Sequence, residues 1–125
     1  MEHEKLKAKK IAKIAYAAHI AYCKEVCNFN EPKWKDLPPP QKESIIAGVE
    51  MHILSPTMDA PTAHDIFVKT RVAEGWKYGP IASIDKKEHP LLTPFESLPA
   101  HEKTAAYLFT EIVRVLTVDT HQKHG

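Results

Sequence analysis

The stretch EKLKAKKIAKIAYAAHIAYCKEVCNF runs for more than twenty residues without glycine or proline and is rich in alanine and other strong helix formers. It predicts a long first helix, and a helix of that length must lay a face against other helices to be stable in water. Ile11, Ile14, Ala15, Ala18 and Tyr22 fall on one side at helical spacing. Lys9, Lys10 and Lys13 cluster near its start, and the simplest reading is a solvated flank. Cys23 and Cys27 are the only cysteines. Standing on consecutive turns, they would constrain almost nothing as a disulfide, so reduced thiols are expected.

Prolines mark where the remaining helices begin and end. NEPKWKDLPPP is a connector in which Trp34 is expected to pin the loop to the core. The prolines then launch a second helix, QKESIIAGVEMHIL, with Ile45, Val49 and Ile53 at helical spacing and Gly48 in its middle, where a close helix crossing is expected. After SPTMDAP, Thr62 is a candidate N-cap with Asp65 at the capping-box position. Ile66 and Phe67 open an apolar stripe that runs through Ala73, and Gly75 is placed to stop the helix. From Trp76 to Leu98 neither helical nor strand periodicity appears, and Pro80, Pro90 and Pro94 forbid a long regular element. PAHEKTAAYLFTEIVRVL then puts Ala105, Leu108, Phe109, Ile112, Val113 and Leu116 on one face of a closing helix, followed by TVDTHQKHG as a fraying tail. The expected fold is mainly α: a compact single-domain bundle of about four helices over residues 1–125, with one long irregular loop.

A chain of 125 residues, 43% hydrophobic and 26% charged, has room for one hydrophobic core. Its net charge of +1 gives no general attraction to a nucleic acid polymer or an acidic membrane. No apolar run is long enough to span a bilayer and the N-terminus lacks a signal-peptide pattern, so a cytoplasmic location is expected. Neither a nucleophile elbow, a phosphate-binding glycine loop nor a dinucleotide fingerprint is present, so no catalytic residue and no cofactor is assigned. The eight histidines show no paired-histidine or cysteine–histidine motif, His121 and His124 lie in the tail, and no metal is expected.

The stretch RVAEGWKYGPIASIDKKEHP is where function is most legible. Arg71 lies one turn before Gly75, and an extended 76–78 would send Trp76 and Tyr78 to one side and Lys77 to the other. With Lys86, Lys87 and His89 close by, these residues suit a ligand that has a flat aromatic part and an anionic part, as a nucleotide does. The same residues also fit a plain alternative, in which the two rings plug the core, the lysines are solvated and His89 bonds backbone. His89 with Glu88 or Asp85 has the residue types for acid–base chemistry but no geometry to support it.

RVAEGWKYGP, DKKEHPLLTPFESLP and AHEKTAAYLF together resemble the ryanodine receptor repeat, or RyR domain, over about residues 61–116. IAYCKEVC, the tryptophan-containing connector and QKESIIAGVEMHI extend the resemblance, through an N-terminal helical extension at 3–60, to small stand-alone RyR-domain proteins of bacteria and phages. The matching positions are Arg71, Gly75, Trp76, Tyr78, Gly79, Lys87, Glu88, His89, Pro90 and Leu98, while Phe95 replaces the usual tyrosine and Ala106 a commonly acidic residue. The resemblance implies a mainly helical module without channel parts. It also implies a non-catalytic role, binding a nucleotide-derived small molecule of the cyclic-nucleotide or ADP-ribose type, and in a phage a sponge for a host defence signal in the host cytoplasm. The expected ligand contacts are Arg71, Trp76, Tyr78, Lys86, Lys87 and His89, with Tyr22 added from the first helix. The alternative is a protein-interaction module, or a homo-oligomer packed through the alanine-rich first helix.

Overall fold

Four helices account for most of the chain. A computed structural model describes residues 2–122, with side chains described for residues 7–117. Helix α1 spans Glu2–Val26, α2 Pro39–Leu54, α3 Ala60–Ala73 and α4 Ala100–Gln122. A short parallel pair, β1 (Lys77–Tyr78) and β2 (Glu88–His89), lies in the loop between α3 and α4. The expected mainly α fold is what the structure shows.

The core forms where α1, α2 and α4 pack against one another. Ala8, Ile11, Ala12 and Ala15 of α1 meet Ile46 and Val49 of α2 and Val113 of α4, with Trp34, Ile53 and Phe109 closing the periphery. Ala8, Ala12 and Ala15 of α1 are thus spent inside the chain, where their small side chains let the neighbouring helices come close, while Ala17 and Ala21 are exposed. Two residues expected on buried faces are outside them: Ile14 is 53% exposed and Leu108 lies at the surface. A Cβ at Gly48 would meet nothing within 4 Å, so the glycine does not mark a close crossing.

Helix α3 differs from the other three, because only Ala60 on it is buried and the expected stripe is half-buried, ending in an exposed Ala73. Its start also lies earlier than expected. Asp59 is the N-cap and its carboxylate accepts from the Thr62 N–H at 2.9 Å, with Pro61 in the first turn, while Asp65 pairs with Lys69 on the outer face at 3.0 Å. With Asp59 as cap, the Thr62 N–H is one of the first-turn amides that lack an intrahelical partner, and the Asp59 carboxylate satisfies it. A second apolar cluster, of Ala60, Phe95 and Leu98 with Leu91 and Ala106 against it, joins α3 to the end of the loop and to α4. Phe95 and Ala106, the two departures from the RyR-repeat pattern, share this cluster, so any polar contact made there elsewhere is replaced here by apolar packing. Helix α4 continues through His121 to Gln122 instead of fraying after Leu116, and His124 lies outside the described residues.

Candidate ligand-binding site

The site begins with the way α3 stops. Gly75 adopts φ +93°, a left-handed conformation that glycine accepts without a Cβ penalty. This lets Gly75 N–H bond the Val72 carbonyl at 3.0 Å and Trp76 N–H bond the Arg71 carbonyl at 2.9 Å, the paired bonds of a Schellman cap. Gly75 therefore ends the helix as its position in the sequence predicts. Lys87 folds back across the same end, donating from Nζ to the Glu74 carbonyl at 3.0 Å, where a cation complements the helix dipole.

Past the cap, Lys77 N–H bonds the Lys87 carbonyl and Gly79 N–H bonds the His89 carbonyl, which sets β1 beside β2. Gly79 is required by the close approach, since a Cβ there would come within 2.6 Å of Glu88 Cβ. Between the strands, Ser83 and Glu88 exchange two backbone hydrogen bonds of 2.9 and 3.0 Å. The turn they close has Lys87 in the left-handed region at φ +54° and Lys86 N–H bonded to Ser83 Oγ.

This framework borders an open cleft of about 430 Å³ lined by Trp76, Ala82, Ser83, Ile84, Asp85 and His89 from the loop and by Gln41 from the first turn of α2. Leu91 N–H donates to His89 Nδ1 at 3.1 Å, so the neutral imidazole carries its proton on Nε2. Burial pushes the His89 pKa down; the Arg71 charge works in the same direction and the Glu102 carboxylate opposes it. His89 is thus a neutral hydrogen-bond donor at pH 7. Asp85 is the charged member of the lining, and Trp76 supplies its aromatic face.

The seven expected contacts separate accordingly. Trp76 and His89 both line the cleft. Arg71, Lys86, Lys87, Tyr78 and Tyr22 do not line it. Arg71 donates to Glu74 Oε1 at 2.7 Å and to Ser44 Oγ, and it lies over the Phe67 ring, so its guanidinium fastens the end of α3 to α2. Lys87 is used in the helix cap. Tyr78 is 57% exposed, which removes the expected pair of rings around a ligand. Lys86 projects from the turn into solvent, and Tyr22 sits where α1 meets α4, its hydroxyl directed at the His101 carbonyl at 3.4 Å. Gln41, Ala82, Ser83 and Ile84 are lining residues missed in the sequence, and Asp85, weighed there only as an acid–base partner of His89, lines the cleft too. Nothing in the spacing of Gln41 could have shown it, because Gln41 reaches the cleft from a separate helix, α2, which Arg71 ties to the end of α3 through Ser44.

A family model described as RyR domain matches residues 52–121, more than half of the 125. The chain belongs to the RyR domain family. The match runs from the last turn of α2 through α3, the whole loop and nearly all of α4, so every cleft residue of this RyR domain except Gln41 lies inside it. Among the described residues, no helix is long and apolar enough to cross a membrane.

A second group of chemically capable residues lies outside the matched region. The sequence shows no cysteine–histidine motif, yet His19 and Cys23 stand one turn apart on α1 with Nε2 and Sγ at 3.6 Å, and Glu31 closes on both. An i,i+4 spacing on a helix brings two side chains together as effectively as a short loop motif does. Burial pushes the Cys23 thiol up to about 11, helped by Glu31 and Cys27, and pushes the Tyr16 hydroxyl beside it up to about 12. Both cysteines are free thiols, as expected.

Proposed function

We propose that this RyR domain is a non-catalytic binding module for a nucleotide-derived small molecule, taken up in the cleft between the loop and α2. The observation that carries the reading is the joining of Trp76 and His89 over Gln41, Ser83 and Asp85 in one cleft of a size that suits a nucleoside. Trp76 offers a face for a base. Asp85, Ser83 and Gln41 offer acceptors and donors for sugar hydroxyls and base edges, and His89 Nε2–H adds a directed donor. The anionic part of the ligand would lie toward the exposed Lys86, next in the chain to Asp85, since Arg71 and Lys87 are already engaged. A His89 that carries its proton on Nε2 and bonds backbone through Nδ1 is poorly arranged to act as a general base, which favours binding over catalysis. In a bacterial or phage setting the module would sequester or sense a cyclic-nucleotide or ADP-ribose-type signal, and as a phage protein in the host cytoplasm it would be an anti-defence sponge.

Calorimetry with a panel of cyclic and ADP-ribose-type nucleotides tests this. The expected result is one-site binding that Trp76→Ala abolishes and Tyr78→Ala leaves intact, with the ligand recovered chemically unchanged after denaturation. Absence of heat across the panel would sink the nucleotide reading, and recovery of a converted ligand would sink the non-catalytic one. One observation favours a second reading, a protein-interaction module: Ile81 and Ile84, in the same loop, are 77% and 58% exposed and would suit an apolar peptide segment.

A further inference from the structure

We propose that His19, Cys23 and Glu31 form a binding site for a single zinc-class divalent ion that ties the end of α1 to the connector after it. One imidazole nitrogen, one thiol sulfur and one carboxylate oxygen lie mutually within 4.8 Å. The His19 Nε2 to Cys23 Sγ separation is 3.6 Å. Tetrahedral zinc with its usual bond lengths to sulfur and nitrogen spaces those two donors by about 3.6 Å. The first pair is therefore already at ligand spacing, and Glu31 needs only a small side-chain movement to complete the set.

The surroundings hold these donors in place. Asn28, at φ +55°, turns the chain after α1, and the Phe29 N–H returns to the Cys23 carbonyl at 3.0 Å. The Tyr16 hydroxyl donates to the Pro32 carbonyl at 2.7 Å and so anchors the residue that follows Glu31, while the Tyr16 ring lies 5.9 Å from the His19 ring. Cys23 is buried and His19 and Glu31 are half-buried, so the ion would face protein on one side and have a fourth position open to solvent. A nitrogen, sulfur and oxygen donor set selects zinc or cobalt over magnesium or calcium, which prefer oxygen alone. None of these residues lines the cleft, so the site is independent of the ligand reading.

Titration of the reduced full-length protein with cobalt(II), followed by absorption, tests the proposal. The expected result is a one-to-one complex with a thiolate-to-cobalt charge-transfer band, displaced by zinc, together with a zinc-dependent rise in melting temperature. Cys23→Ser should remove the band. Glu31→Gln, a half-buried connector position whose fold is checked by circular dichroism, should weaken binding by more than roughly tenfold, since even loss of a second-shell partner costs that much. Cys27→Ser should keep the band. The absence of a charge-transfer band at saturating cobalt would overturn the site, as would a band that survives Cys23→Ser or an affinity unmoved by Glu31→Gln; His19 and Cys23 would then be a simple hydrogen-bonded pair.

Discussion

The two long connectors of this RyR domain, residues 27–38 and 74–99, each carry a tryptophan and a cluster of prolines, yet they do opposite things with them. In the first, Trp34 opens a short 3₁₀ turn, packs on the main core and meets the Tyr16 ring edge-on at 5.9 Å. In the second, Trp76 is presented to a cleft. The difference lies in what stands behind each ring. The first connector crosses between α1 and α2, whose packed faces accept an indole, whereas the second leaves α3, a helix with one buried residue, and is held off the core by β1, β2 and the Ser83–Glu88 turn. A ring that finds a core stabilises the fold; a ring held over a framework of backbone hydrogen bonds remains available for a ligand.

The comparison breaks most readily at the tryptophans themselves. Trp34→Ala is expected to lose about 3 kcal/mol in chemical denaturation, as large-to-small changes against a core do. Trp76→Ala should lose about 1 kcal/mol or less, in the range of surface substitutions. Equal losses would mean that both rings are core residues. Gly79→Ala comes next: its Cβ cannot coexist with Glu88, so β1 and β2 should separate at a cost of about 2 kcal/mol, typical of overpacking. The quantity to follow is Trp76 fluorescence, which should shift to the red while the helical signal in the far ultraviolet persists.

The smallest effect is on pH dependence. His52 in the helical body and His89 in the loop both have pKa values pushed below the ordinary 6.5, first by burial, with the Arg114 charge adding to the effect at His52. The unfolded chain therefore takes up these protons first. Stability is whole above about pH 6.5 and falls as pH drops below it, because protonation favours the unfolded state. Denaturation midpoints measured from pH 7.5 down to 5 should fall less steeply in His52→Gln and in His89→Gln than in the parent. If only His52→Gln flattened the slope, the loop would be as solvated as the unfolded chain.

The four helices were legible because their signals are local. Alanine and other helix formers fill α1, prolines stand at the start of α2 and ahead of α4, and Gly75 ends α3 by its own backbone freedom. Local signals misled where a neighbour competed for the same role, as when Asp59 took the cap from Thr62. The candidate site was legible in part. Trp76 and His89 could be picked out by residue type, but the cations could not be assigned to ligand or scaffold, because Arg71 and Lys87 offer the same charge to an anion, to Glu74 or to the end of a helix.

The sequence by itself determined the helical class, the stop of α3 at Gly75 and the loop in which to look for function, since each depends on propensity and stereochemistry acting over a few residues. Tertiary structure alone decided which alanines of α1 are core, that Gln41 of α2 lines the same cleft as Trp76, that Tyr78 is outside that cleft and that Glu31 returns to His19 and Cys23. Those outcomes depend on how far apart the chain places surfaces that meet only after the helices have packed, and a one-dimensional pattern carries no measure of that distance.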